Sequence, residues 1–174
     1  MKIEEIKKEQ CETCKGSLDG FGRRFPLRQP DGYFVPAFAV HVLLHRSNGS
    51  EPKEILMVKL GKGSYKGKWA LPGGRVPNGE DPIKTCYRRL EEECSVKAKS
   101  EPKLFGLYGD PLRDSTEHVV AGVYECECDQ NEVPEAGDDA EEAKFMSIEE
   151  LLKNPESMAY DNAKILKDFS TRHN

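Results

Sequence analysis

A chain of 174 residues, 33% of them charged and with a formal net charge of −5, has enough length for one well-buried domain. The acidic balance argues against broad nucleic-acid binding, which favours a basic face. No apolar run approaches membrane-spanning length, and the opening Met1-Lys-Ile-Glu-Glu-Ile carries no apolar core of a secretory leader. No membrane partner is expected, and the cytoplasm is the expected compartment.

Residues 1–32 are polar and punctuated by Gly16, Gly20, Gly22 and Pro26. They read as an N-terminal extension, leaving 33–174 as the folded domain. Within the extension, Cys11 and Cys14 form one half of a zinc-ribbon pattern without a matching second pair, so four ligands are not visible. A zinc-dependent interaction module centred on them is one alternative for the protein. Tyr33 to His45, rich in Val, Phe and Leu, predicts a central strand. Asn48-Gly49-Ser50 marks a turn, and Ile55 to Leu60 a second strand. Gly61 to Gly67 is a loop rich in Gly and Lys, read either as a hairpin tip or as a positive rim for phosphate. Trp69 precedes a Pro-Gly-Gly turn and is a candidate for packing or for ligand stacking.

Residues 74–96 read GRVPNGEDPIKTCYRRLEEECSV. A Gly-rich turn leads through Pro82 into an amphipathic helix. Asn78 or Gly79 would cap its start, and Pro82 suits the first turn. At 100° per residue, Ile83, Cys86, Tyr87, Leu90 and Cys94 form one stripe, the expected buried face. Arg89, Glu92 and Glu93 fall together on another side. Three consecutive glutamates near the C-terminus oppose the helix macrodipole and repel one another. A helix built only for stability would avoid them, whereas hard divalent cations seek clustered carboxylates. The plainer alternative is a solvated helix end paired through Arg88–Glu92 and Arg89–Glu93. Glu80 sits where the helix dipole stabilises its charge. Gly73 and Gly74 allow the backbone to approach a phosphate or a metal.

Leu104 to Tyr108 and Val119 to Cys128 predict further strands. Cys126 and Cys128, two apart, share a face; Cys86 and Cys94 read as core thiols. Between those strands, Arg113 could grip a diphosphate or pair with Asp110 or Asp114 in a structural turn. Asp129 to Ala143 reads as an acidic loop, and Phe145-Met146 as a short strand. Ser147-Ile-Glu-Glu150 is a capping box opening a short helix. Ala159 to Phe169 predicts the final helix.

The 74–96 segment resembles the Nudix box, G-x5-E-x7-R-E-U-x-E-E-x-G-U. Gly74, Glu80, Arg88, Leu90, Glu92, Glu93 and Val96 match in register. The flank Lys68-Trp-Ala-Leu-Pro-Gly73 is similar to the strand entering that box. The resemblance implies an α+β fold, a Nudix-like α/β/α sandwich with a mixed β-sheet. It also implies a Mg²⁺- or Mn²⁺-dependent hydrolase of nucleoside diphosphates linked to another moiety. Tyr108-Gly-Asp-Pro-Leu-Arg113-Asp114, the 136–145 stretch and Ala159-Tyr-Asp161 resemble the ADP-ribose pyrophosphatase branch. By that resemblance the substrate is ADP-ribose, cleaved to AMP and ribose 5-phosphate.

The resemblance assigns Gly73, Glu80, Glu92 and Glu93 to the metal. Arg88 would orient the glutamates, and Asp139, Glu141 or Glu142 would supply the base. Arg75, Arg113 and Trp69 are the candidates for substrate contact. The expected partner is a nucleoside diphosphate derivative, and a homodimer is compatible with the reading. Two positions depart from the pattern. Ser95 replaces a glycine that ends the helix in a left-handed turn, at a cost of about 1 kcal/mol. Arg89 replaces a glutamate that is often a metal ligand and in some members the general base. An arginine can neither ligate a cation nor shed its proton near neutrality. A catalytically impaired nucleotide binder or sensor is therefore the other alternative.

Overall fold

In the computed structural model, which describes residues 36–46 and 54–173, side-chain alternation along two central strands builds two cores. In β1 (Ala37–Arg46), Val40, Val42 and Leu44 face one core and Leu43 the other. In β2 (Glu54–Leu60), Leu56 and Val58 join the first core, Ile55 and Met57 the second. The remaining elements are β3 (Trp69–Ala70), β4 (Gly73–Arg75), α1 (Pro82–Cys94), β5 (Lys103–Tyr108), β6 (Val119–Glu127), β7 (Ala140–Ser147), α2 (Ile148–Lys153) and α3 (Asn162–His173). Helix α1 covers the first core with Cys86, Leu90 and Cys94. Helices α2 and α3 cover the second with Ile148, Leu151, Ile165, Leu166 and Phe169. The result is an α/β/α sandwich. The extension 1–32, with Cys11 and Cys14, and the 48–50 turn lie outside the described residues.

The seven-stranded sheet is mixed. Its main order is β3-β2-β1-β6-β5, with β4 paired to β1 and β7 to β2. Among the described strands only β1 and β6 run parallel, from Ala37↔Val119 to His45↔Glu127; the other strand pairs are antiparallel. With β6 on one edge of β1, the opposite edge is divided. β2 pairs with its far end at His45 and Arg46, and β4 with Ala39, Val40 and His41. The Gly-rich turn is thus stitched into the sheet. The clearest local reason for glycine is at Gly73, where a Cβ would lie 2.1 Å from the Val40 carbonyl oxygen.

Helix α1 departs from expectation in two details. Its N-cap is Asp81, not Asn78 or Gly79: the Asp81 side chain accepts from the Ile83 N–H at 2.8 Å. Pro82 disfavours helical backbone at the residue before it, and Asp81 accordingly sits extended. Tyr87 is 42% exposed rather than buried, and Thr85 is buried in its stead. The buried face is rotated toward the row 85–89–93, which carries Arg89 and Glu93 partly inward.

The helix ends at Ser95, in the left-handed region with φ 54°. The Ser95 and Val96 N–H groups donate to the Glu91 and Leu90 carbonyls at 3.0 and 3.4 Å. Two more carbonyls of the last turn are satisfied from far along the chain: Glu135 N–H donates to Cys94 O at 2.9 Å and Gly137 N–H to Glu93 O at 3.0 Å. Ser95→Gly should relieve the left-handed backbone and stabilise the protein by about 1 kcal/mol, raising the thermal midpoint by about 3 °C. Calorimetry of the two proteins checks this, and an unchanged midpoint would refute it.

Two other expectations change, and the reading of the cysteines as core thiols holds. Residues 140–143 are strand, not loop: β7 runs eight residues against β2, pairing Lys59 with Glu142 and Leu56 with Phe145. Its charged side chains hid the strand period, yet charge is common on strands with an exposed edge. The final helix starts at Asn162, because Tyr160 takes φ 52° and the Ala159 N–H is drawn to the Trp69 carbonyl at 2.8 Å. The Asn162 side chain then accepts from the Leu71 N–H at 2.6 Å, tying that turn to the box strand. Cys86, Cys94, Cys126 and Cys128 are buried free thiols in the α1 core. Burial pushes Cys86 up to about 12 and Cys128 to about 11, so they stay protonated and unreactive.

Candidate active site

The buried row of α1 faces β4, and this brings the box residues into contact. Arg88 donates to both Glu80 oxygens, at 2.9 and 2.7 Å, and to Glu92 Oε2 at 2.9 Å. That bidentate grip holds Glu80 below the usual carboxylate range. The Gly73 N–H donates to Glu93 Oε2 at 3.2 Å. Arg89 Nη1 lies 3.5 Å from Glu92 Oε2, 3.6 Å from Glu93 Oε1 and 3.6 Å from Asp138 Oδ2. The guanidinium lies against Gly74, where a Cβ would come within 2.8 to 2.9 Å of three of its atoms. Arg89 Nε is buried without a hydrogen-bond partner.

Glu93 is the most perturbed acid of this cluster. Burial pushes its carboxyl up to about 7, with the Gly73 amide and the Arg89 charge opposing. The unfolded chain would titrate there near 4.5. The folded, ion-free protein therefore holds a proton that the unfolded chain releases. This contribution to stability is fully present below pH 4.5 and is lost as pH rises through about 7. In the presence of a chelator, Glu93→Gln should flatten that slope, gaining roughly 2 kcal/mol at pH 8 and little at pH 4.5. Urea titrations at the two pH values measure it; parallel losses in both proteins would contradict it.

A cavity of about 310 Å³ opens where β2 and β4 separate. Its volume is at the lower end for small-molecule sites. Gly73, Gly74, Arg89 and Glu93 form one wall, Arg75 and Glu117 part of the rim, and His41, Arg113 and Asp114 another wall. The Gly61–Gly67 loop contributes Lys62 and Tyr65. Tyr65 and Tyr160 rings lie 4.5 Å apart, and the Tyr65 hydroxyl accepts from the Ser115 N–H at 3.0 Å. Lys62 pairs with Asp139, and Arg75 with Glu117.

The candidates from the sequence divide accordingly. Gly73, Glu93, Arg75, Arg113 and Asp139 line the cavity. Glu80, Arg88 and Glu92 lie outside the lining and are joined to it through the Glu92–Arg89 ion pair. Glu141 and Glu142 lie on β7, within ion-pair distance of Lys66 (4.0 Å) and Lys144 (2.8 Å) and outside the lining. The Trp69 ring packs against the second core beneath the Lys144 ammonium, 4.6 Å from its centroid, also outside the lining. Arg113 donates its backbone N–H to the Asp110 carbonyl at 3.0 Å, and its charge goes to a partner 48 residues away. Its guanidinium, with a side chain 1% exposed, grips Asp161 at 2.6 and 3.1 Å and donates to His41 Nε2 at 3.2 Å. Burial, then the Arg113 charge, lowers His41 to about 4, so it accepts as the neutral ring.

Sequence reasoning gives His41, Tyr65 and Asp161 no individual role at the site, and reaches Asp138 only as one acid of the 138–142 loop. Asp138 reaches the cluster because Gly137 is bonded to the end of α1, and it takes φ 50° there. Left-handed backbone of a non-glycine residue beside a cavity is a local signature of a constrained site.

The donor chemistry suits a hard divalent cation: every acidic group here offers oxygen, and burial costs the Glu93 carboxylate more than the Gly73 amide and the Arg89 charge restore. Glu80, Glu92, Glu93 and the backbone of Gly73 are the groups that could hold it. Among the described residues, however, no three acidic, His or Cys side chains converge closely enough to encircle an ion. Arg88 and Arg89 stand between the carboxylates.

Comparison with known proteins gives a consistent result. The NUDIX domain family matches residues 35–169. The ADP-ribose pyrophosphatase of Methanocaldococcus jannaschii is 34% identical over 172 residues, covering 92% of this chain and 95% of the relative. The NUDIX domain of Shewanella oneidensis NrtR, solved in complex with ADP ribose, superposes with a TM-score of 0.71 at 19% identity, covering 83% of this chain and 92% of that one. A bifunctional NMN adenylyltransferase/ADP ribose pyrophosphatase from Francisella tularensis, solved with AMP and a Mn ion, gives 0.70 at 23% identity, covering 84% of this chain and 44% of the larger protein. At these identities the two structures attest the fold. With the box in register and a family match across nearly the whole described chain, the protein belongs to the NUDIX domain family and is a Nudix-type pyrophosphohydrolase, a class that uses divalent metals.

Proposed function

We propose that the chain hydrolyses the diphosphate of ADP-ribose, giving AMP and ribose 5-phosphate, with Mg²⁺ or Mn²⁺ as the ion. The observation that carries this reading is the placement of the Glu93–Asp138 cluster in the wall of a cavity that also holds a tyrosine pair and Arg75. The 34% identity to an ADP-ribose pyrophosphatase supports the choice of substrate.

Each group has a task in that reaction. Arg88 fixes the carboxylates of Glu80 and Glu92, and the Gly73 amide fixes Glu93. A bound divalent ion would neutralise the diphosphate and lower the pKa of the attacking water. Tyr65 and Tyr160 offer an aromatic face to a base or ribose. Arg75 is 66% exposed at the rim and can leave Glu117 for a phosphate oxygen. Asp139 is the best placed of the three proposed bases, since it alone lines the cavity. It would take the water's proton once Lys62 turns to the substrate.

The test is a panel of ADP-ribose, nucleotide sugars, dinucleoside polyphosphates and oxidised nucleoside triphosphates, with Mg²⁺ or Mn²⁺ and chromatographic identification of products. AMP and ribose 5-phosphate released fastest from ADP-ribose are expected. The ion pairing of Arg89 with three carboxylates favours one second reading, a nucleotide binder without turnover. ADP-ribose bound but intact after prolonged incubation would select that reading and reject hydrolysis.

A further inference from the structure

Among the described residues, three that are not glycine take left-handed backbone: Ser95, Asp138 and Tyr160. Ser95 ends α1, whereas Asp138 and Tyr160 line the cavity. Tyr160 takes φ 52°, and a bulky side chain in that region is a genuine outlier. The Asn162 N–H donates to the Ala159 carbonyl at 3.2 Å, which puts Tyr160 at the second position of a turn. Gly, Asn or Asp would close that turn with less strain. The tyrosine is nevertheless held from both sides. Before it, the Ala159 N–H donates to the Trp69 carbonyl at 2.8 Å. After it, Arg113 grips Asp161 at 2.6 and 3.1 Å, and the Asn162 side chain accepts from the Leu71 N–H at 2.6 Å. These tethers fix one strained residue, and what they deliver to the cavity is an aromatic ring.

The Tyr160 ring lies 4.5 Å from that of Tyr65, at 49°, and 5.9 Å from that of His41, at 53°. The Tyr65 ring is fixed in turn by the bond from the Ser115 N–H to its hydroxyl, at 3.0 Å. A flat group lying on one of two rings set at such an angle meets the edge of the other, and those are the two contacts that aromatic groups prefer. The positive charge of this wall is already matched. Arg113 is 1% exposed and turned to Asp161 and His41, and His41 is the neutral ring. The most exposed cations of the lining are Lys62 and Arg75 instead. Phosphates belong with those two, and a flat uncharged ring belongs with the tyrosines. We infer that Tyr160 is the base-recognition residue of this site, stacking on the planar base of a nucleotide rather than on a sugar, with Arg113 and Asp161 as the positioning residues that hold it there. The inference deepens the ADP-ribose reading and rests on it for the identity of the ligand.

AMP is ribose 5-phosphate carrying adenine, so the two compounds differ by the base alone. Each is titrated calorimetrically into the full chain with Mg²⁺ present, and neither has a diphosphate to cleave. The native protein should bind AMP more tightly than ribose 5-phosphate. Tyr160→Leu should weaken AMP about 10-fold, as expected for a lost base–aromatic stack, and leave ribose 5-phosphate within about 2-fold. Tyr160→Phe should keep the native AMP affinity. Folded Asp161→Asn should also lose affinity for AMP and keep that for ribose 5-phosphate. Proton resonance adds a signature that a structural role would not give: the adenine H2 and H8 signals should move upfield on the native protein and on Tyr160→Phe, and less on Tyr160→Leu. Thermal melts report that each variant folds. Equal weakening of both compounds, native AMP affinity in folded Tyr160→Leu, or no AMP binding by the native chain would overturn the inference. Base-dependent binding without turnover of ADP-ribose would uphold it and reject hydrolysis. Cleavage of ADP-ribose by Tyr160→Leu at the native kcat/KM would do the reverse.

Discussion

Glu92→Gln and Glu93→Gln should each lower kcat/KM for ADP-ribose by at least about 10²-fold, roughly 3 kcal/mol of barrier. Both replacements keep side-chain size and remove one negative charge. Glu92 loses its charge partnership with Arg88 and Arg89, and Glu93 the charge that the proposed ion would use, while still filling a buried position. The informative control is Glu91→Gln. Glu91 is exposed on the same helix and makes no side-chain contact with the cluster, so its kcat/KM should stay within about 2-fold of native. Steady-state kinetics at saturating Mg²⁺ separate the cases. Equal losses at 91, 92 and 93 would mean that the helix end acts only through its overall charge.

Arg113→Ala should destabilise the protein by about 3–5 kcal/mol and lower the thermal midpoint by roughly 6–15 °C. The Arg113 side chain is 1% exposed and its partner Asp161 14%, so truncation strands a carboxylate away from water and removes the donor to His41. The pair also joins the 108–114 segment to the turn before α3, across the cavity. Asp161→Asn in the Arg113→Ala background should recover part of the loss, because the stranded charge is then gone. Denaturant titration of the four proteins of that cycle gives the coupling. A loss within 1 kcal/mol for Arg113→Ala would show that the pair carries no such weight.

The parts of the fold that were legible from sequence share a physical cause. Helix α1 declared itself because its apolar residues recur at the helical period while its glutamates violate the usual charge preference. β1, β2, β5 and β6 were visible as Val-, Leu- and Phe-rich runs bounded by turn residues. What stayed hidden has causes too. β4 spans three residues, too short for any period to register, and the two residues of β3 are reached only through the resemblance of the 68–73 flank. β7 is held by backbone pairing to β2 and presents charged side chains, so its composition mimics a loop. The Arg113–Asp161 pair joins residues 48 apart, and no local pattern encodes such a choice of partner. The rotation of α1 that exposes Tyr87 and draws in Glu93 depends on packing against β1 and β4, which the helical wheel does not contain.

The way α1 ends has a consequence for how this protein can change. The carbonyls of Glu93 and Cys94 are finished by the amides of Gly137 and Glu135, and a Cβ at Gly137 would stand 2.4 Å from the Glu92 carbonyl oxygen. The stretch following β6 is therefore clamped at a fixed station, and Asp138 is delivered to the Arg89 cluster by the chain's own length. Inserting or deleting one residue between 135 and 138 would slide the acid out of place and leave peptide oxygens bare at the same stroke. Upstream, Glu132 is a second anchor, its carbonyl accepting from Arg46 and its carboxylate from the Lys97 N–H at 3.0 Å, so length variation in 129–134 is tolerable where it leaves that residue in place.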